Sequence, residues 1–165
     1  MKKNFIAFLV LLLGIYIMGI STAIAGGGCC PTGPGTGTPG YWKNHPDAWP
    51  VEQICIGTTC YSKEEAIYII DLPVKGDKWL TMFKAYVAAY LNVEAGNCRP
   101  YCDSYYGILD LDDAYSWLTN FIQDIPVRAN SEAWQYSHGE AIYWCLDDYN
   151  NGVLDDIAIS RDYLD

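Results

Sequence analysis

Basic residues are scarce in this 165-residue chain: ten Lys and Arg stand against twenty Asp and Glu, and there are only two histidines. Lys2 and Lys3 belong to an N-terminal targeting stretch, so the remainder sets eight bases against twenty acids, a net of about −12. That balance repels nucleic acid and anionic membrane surfaces and suits cations or basic partners. Long apolar runs are confined to the first 25 residues, so any membrane contact comes through that segment if it stays uncleaved. A disordered acidic tail is excluded as well, because fourteen tyrosines and six tryptophans carry too much apolar surface. About 135–140 residues follow the targeting stretch, enough for one domain with a core.

Residues 1–25 have the layout of an export signal. Met1-Lys2-Lys3-Asn4 is a short basic start, Phe5 to Ile20 is almost wholly apolar, and Ser21-Thr22-Ala23-Ile24-Ala25 offers small residues for cleavage before Gly26. Left uncut, Phe5–Ala25 is just long enough to span a bilayer. Residues 26–37 read as a Gly/Pro-rich tether, too poor in apolar surface to order itself unless Cys29 or Cys30 pins it. Residues 38–165 then form a single disulfide-stabilised domain.

That domain opens on Thr38-Pro39-Gly40-Tyr41-Trp42-Lys43-Asn44-His45-Pro46-Asp47-Ala48-Trp49-Pro50, with three prolines and two tryptophans in thirteen residues. The prolines argue for an irregular segment, anchored by its aromatic rings on the domain that follows. Val51 to Ile56 and Cys60-Tyr61 flank the turn Gly57-Thr58-Thr59 as a β-hairpin, with Cys55 facing Cys60. Ser62 and Glu65 form a capping box for a short helix stopped at Pro73. The central helix is predicted over Lys78 to Val93, capped by Asp77 and closed by Gly96. Its apolar face is Trp79, Met82, Phe83, Tyr86, Val87, Tyr90 and Leu91, and Ala85, Ala88 and Ala89 admit a close neighbour. Asn97 to Cys102 reads as a loop. A third helix follows Asp110 over Leu111 to Ile122, with Leu111, Ala114, Tyr115, Leu118 and Phe121 or Ile122 inward. A fourth starts at a capping box of Ser137 and Glu140, turns Ala141, Ile142, Cys145, Leu146 and Tyr149 inward, and stops at Asn150-Asn151-Gly152. The expected fold is mostly α: a compact bundle of about four helices with one small N-terminal hairpin and an irregular aromatic entry segment.

The opening motif, the Ile-Cys-Ile-Gly hairpin, the Val-Ala-Ala-Tyr-Leu-Asn-Val helix and Leu-Asp-Asp-Tyr-Asn-Asn-Gly together resemble a family of exported microbial domains. That family is marked by the signature Thr-Pro-Gly-Tyr/Phe-Trp-Lys-Asn-His-Pro, met here from Thr38 through Pro39, Gly40, Tyr41, Trp42, Lys43, Asn44 and His45 to Pro46. The resemblance covers about residues 38–152 and implies a secreted or surface protein of the kind found beside adhesive or repeat modules. It implies no catalytic residue, since the family has no established activity. This chain differs in its cysteine richness and in standing alone after a short tether.

Seven cysteines, at 29, 30, 55, 60, 98, 102 and 145, lie beyond the signal and meet an oxidising environment on export. Cys55–Cys60 and Cys98–Cys102 are plausible local pairs, each stabilising by about 2 kcal/mol in the loop-entropy model. Cys145 is then a buried thiol or the partner of Cys29 or Cys30, which leaves one vicinal cysteine for an intermolecular bond. The Cys55-x4-Cys60 and Cys98-x3-Cys102 spacings are looser than structural zinc uses. Calcium is the one metal the composition offers, through Asp147, Asp148, Asn150, Asp155 and Asp156 around Gly152. The register of a calcium loop fails from either aspartate, however, so a helix stop beside a solvated acidic face is the simpler reading. No other cofactor is implied.

Catalysis has little behind it. His45 precedes Pro46 in the aromatic segment and His138 opens the last helix; a Cys145–His pair would need a free thiolate where the compartment favours disulfides. The expected function is therefore a non-enzymatic, exported surface protein, foremost a structural or assembly subunit whose partners are copies of itself or other cell-surface proteins. The alternative is a monomeric module that binds a glycan or a protein through exposed aromatics, with Tyr41, Trp42, Trp49, Tyr101, Tyr105 and Tyr106 as its surface.

Overall fold

The computed structural model describes residues 33–154, about half of them helical. The expected signal segment, most of the tether, Cys29, Cys30, Asp155 and Asp156 lie outside the described residues. The chain runs α1 (Pro39–Asn44), a 3-10 turn (Pro46–Ala48), β1 (Gln53–Ile56), β2 (Thr59–Ser62), α2 (Lys63–Asp71) and α3 (Lys78–Glu94). It continues through β3 (Tyr101–Ser104), β4 (Gly107–Asp110), α4 (Leu111–Asn120), a 3-10 turn (Ile122–Asp124), α5 (Glu132–Gln135) and α6 (Gly139–Asn150). The fold is thus α-rich, with six helices and two antiparallel hairpins, β1–β2 and β3–β4. Among the described residues no helix is long and apolar enough to cross a membrane.

Local chemistry explains most boundaries. Ser62 and Glu65 form a reciprocal capping box at the start of α2, and Asp110 with Asp113 does the same for α4. Asp77 caps α3 by accepting from Trp79 N–H, and the same carboxylate oxygen accepts from Val127 N–H at 3.0 Å, tying a distant loop to the cap. The C-termini of α3 and α6 both close in Schellman geometry. Gly96 and Gly152 take positive φ there, and the next residue donates back to Asn92 O or Asp148 O.

α3 is the central helix. It packs against α1, α2, α4 and α6, and Met82, Phe83, Val87, Ala88, Ala89 and Leu91 are wholly buried along it. The buried face of α4 is Leu111, Ala114, Trp117 and Leu118. Trp117 takes the place expected of Tyr115, because the α4 surface facing α5 is filled by an indole whose Nε1–H donates to Ala133 O.

Five expectations are corrected. The Thr38–Pro50 segment is not irregular, because its prolines fall at starts rather than interiors. Pro39 opens α1, where a missing donor costs nothing and Thr38 Oγ1 accepts from Tyr41 N–H, and Pro46 opens the 3-10 turn. The end of the tether is not free: Gly35, Thr36 and Gly37 are buried. A Cβ on Gly37 would lie 2.4 Å from the Tyr41 ring, so these glycines permit close backbone packing rather than supplying flexibility. Residues 101–110 form a second hairpin, which takes over the last two residues of the loop expected from Asn97 to Cys102, with Gly107 at φ 106° closing its turn. Ser137 does not cap α6; His138 is its N-cap, left-handed at φ 59°, and no side chain caps the end.

The fifth correction concerns the sulfurs. Cys55 and Cys60 are bonded across the first hairpin, directly opposite in register. Cys102 pairs not with Cys98 but with Cys145 on α6, and Cys145 is therefore not the anchor for Cys29 or Cys30. β3 turns Cys102 toward α6, which is why a partner 43 residues away prevails over one four residues away. The two bonds fit an oxidising compartment.

Beneath the entry segment lies a buried polar junction. Asn92, on α3, accepts from Gly37 N–H (2.6 Å) and Trp42 Nε1–H (3.0 Å) through one oxygen. Its amide donates to Gly37 O (3.0 Å) and to Asn150 Oδ1 (2.9 Å) on α6. Asn150 in turn donates to Ala85 O at 2.9 Å. Entry segment, α3 and α6 therefore meet on two fully buried amides, both satisfied, as burial requires.

Candidate functional site: an aromatic face on the second hairpin

The signature residues turn inward or pair locally. Trp42 is fully buried, and Trp49 Nε1–H donates to Trp42 O at 2.8 Å. His45 donates through Nδ1–H to Tyr41 O and stacks on the Tyr41 ring with centroids 4.2 Å apart. Lys43 pairs with Asp71 at 2.8 Å on the surface, which lowers the Asp71 carboxyl pKa by hydrogen bond and charge. Asn44 and Pro46 are exposed at the end of α1, and Pro39 and Gly40 form its first turn. This motif is the clasp of the fold.

The expected aromatic surface therefore divides. Trp42 and Trp49 belong to the core, while Tyr101, Tyr105 and Tyr106 are exposed on the second hairpin, Tyr105 at 97%. They are joined by a ring the sequence had not flagged, Trp144 on α6, 53% exposed. Trp144 falls where a helix beginning at Gly139 turns outward, opposite the buried Ile142, Cys145 and Leu146.

Trp144 and Ala141 form a ridge shared by two open depressions. The smaller, about 290 Å³, is walled by Tyr106, Trp134, His138 and Trp144, with Glu140 at its edge. The larger, about 430 Å³, lies over the Cys102–Cys145 disulfide and carries Tyr101, Asp103 and Asp148. Neither is lined by a lysine or an arginine.

These walls are held firmly. Tyr106 packs on His138 with ring centroids 4.0 Å apart, joining the hairpin turn to the start of α6. Trp134 is nearly buried, set edge-on to Trp117 at 5.8 Å and covered by Lys78 Nζ 4.7 Å from its ring centroid. Gly139 has no room for a side chain: a Cβ there would come within 2.8 Å of Trp117 and 2.9 Å of Trp134. His138 Nδ1 is buried and has no hydrogen-bond partner among the described residues. The Ser104 hydroxyl fixes the hairpin turn by accepting from Tyr106 N–H and donating to Gly107 O.

Of the calcium candidates, Asp155 and Asp156 lie outside the described residues. Both ends of the Asn150 amide are occupied in the core, Asp147 accepts from the Tyr143 hydroxyl at 3.2 Å, and Asp148 faces the larger depression. Burial raises the Asp147 pKa, against the Tyr143 hydrogen bond. Among the described residues no group of three or more His, Cys, Asp or Glu is placed to hold a metal ion. Cys145 is in a disulfide and so unavailable as a nucleophile for either histidine. No protein-family model matches the chain, and comparisons with curated proteins and with solved structures find no match.

Proposed function

We propose that the protein is an exported, non-catalytic recognition domain that binds its ligand on the Trp144 face. The observation that supports this reading is a half-exposed indole between two aromatic depressions, carried on a helix that a disulfide fastens to the hairpin opposite. Binding sites of this type combine apolar and aromatic walls with a few placed polar groups on rigid elements. Carboxylates supply the polar groups here, and the aromatic rings supply contact area at low entropic cost. The test is a panel of neutral oligosaccharides and basic peptides, followed by the Trp144 indole N–H resonance. Trp144→Ala, read by calorimetry because the reporter ring is gone, should abolish binding and leave the protein folded, at a cost of about 1 kcal/mol for the buried half of the indole. Binding that survives this substitution would move the site elsewhere.

Self-association is the second reading, favoured by a separate apolar patch on α2 where Tyr68 stands 66% exposed beside Tyr61 and Ile69. Light scattering at rising concentration separates the two. A constant monomer mass removes the assembly subunit, and a concentration-dependent mass that Tyr68→Ser reverses establishes it.

A further inference from the structure

We infer that the smaller depression beside Trp144 takes a methylated ammonium group, an inference that rests on the recognition role proposed above. Two exposed rings, Tyr106 and Trp144, stand at it with the half-buried His138, and the nearly buried Trp134, covered by Lys78, lies beneath. The faces of Tyr and Trp rings carry negative electrostatic potential, which draws a cation toward the centroid. Glu140 adds a full negative charge at the edge, and no lysine or arginine among the lining residues opposes it. The wider field has the same sign, since the chain carries a formal net charge of −10.

The absence of three-carboxylate or histidine clusters among the described residues argues against a metal ion as the cation. A methylated ammonium suits the walls for two further reasons. Its methyl groups shed apolar surface onto the rings, and its diffuse charge is answered by Glu140 without a directed hydrogen bond. Rigid placement of His138, between the Tyr106 ring and the tight Gly139 position, keeps the walls from collapsing onto one another.

The experiment titrates the purified protein with choline and, separately, with 3,3-dimethylbutanol, its uncharged isostere, while the Trp144 indole N–H resonance is followed. Choline should give a saturable shift, and the isostere should bind about fivefold to tenfold more weakly, the difference a partly desolvated cation–ring contact makes. Glu140→Gln should weaken choline a few-fold and leave the isostere unchanged, while Trp144→Ala, read by calorimetry in place of the lost indole signal, should abolish both. Equal binding of choline and isostere would overturn the charge argument, and so would an unchanged choline affinity in Glu140→Gln. A shift produced by oligosaccharides or unmethylated basic peptides but not by choline would overturn the ammonium assignment and leave the recognition role standing. No shift with any of these probes would overturn both.

Discussion

Replacing Asn92 with leucine tests whether the buried amide junction is what docks the entry segment. The side chain is fully buried and makes four hydrogen bonds, two to Gly37, one to the Trp42 indole and one to Asn150. Leucine has the same branched skeleton and is larger, so the change removes polar partners without opening a cavity. Gly37 N–H, Gly37 O, the Trp42 indole N–H and Asn150 Oδ1 all lose a partner together. An unsatisfied buried group costs about 1–3 kcal/mol, and four would nominally exceed 4 kcal/mol. Undocking of Gly35–Trp42 caps the loss, because water then reaches the orphaned groups. Leucine's better helix propensity returns about 0.5 kcal/mol. The expected net loss is about 4 kcal/mol, a large share of the 5–15 kcal/mol that holds a typical domain. Urea unfolding measures it, and Trp42 emission should shift to the red as the indole meets water. A loss below about 1 kcal/mol, with Trp42 emission unchanged, would refute the reasoning: the segment would then be held by apolar contact alone.

The two disulfides should differ in weight. Loops closed across separations of 5 and 43 residues correspond to about 2 and about 4 kcal/mol in the chain-entropy model. The Cys102→Ala/Cys145→Ala pair should therefore lower the urea midpoint about twice as far as Cys55→Ala/Cys60→Ala, and equal shifts would contradict the loop account. Gly139→Ala should cost about 1–3 kcal/mol by driving a methyl into the Trp117 and Trp134 rings, read as a lower melting temperature; an unchanged value would show that α6 can shift away. Burial pushes the Tyr143 hydroxyl up to about 12, with Asp147 adding to the shift, and raises Tyr86 and Tyr149 as well. A raised folded-state pKa means that their contribution to stability is complete below pH 10 and declines as pH rises through 10 toward 12. Absorbance at 295 nm should show these three tyrosines ionising only as the protein unfolds, and a single titration of all fourteen near pH 10 in the folded protein would contradict the burial assigned to them.

Local hydrogen bonding made part of the fold legible without coordinates. The box at Ser62–Glu65 and the caps at Asp77 and Asp110 involve residues two or three apart, so they form wherever a helix starts at that residue; Ser137 and Glu140 share the spacing, but the helix there starts one residue later, at His138. The apolar stripe of α3 is legible for a similar reason, since helical periodicity fixes which side chains share a face. The glycines before Thr38 show where composition misleads: absence of a side chain permits both flexibility and tight packing, and only the presence of Asn92 and Asn97 nearby selects packing.

The candidate face was legible only in half. Tyr105 and Tyr106 next to Gly107 already suggest an exposed turn, but Trp144 lies in a sequence where outward and inward differ by a rotation set at the helix start. That start is decided by His138 in a left-handed conformation and by the indoles crowding Gly139, none of which is a local preference. The sequence by itself determined the caps at Ser62, Asp77 and Asp110, the central helix, the acidic balance and the cross-turn Cys55–Cys60 pair. Tertiary structure alone decided that Cys102 pairs with Cys145, that two asparagines clasp the entry segment, and that Trp144 faces solvent. The first group depends on residues a turn or two apart; the second depends on which distant surfaces meet, a choice made by burial of the whole core at once.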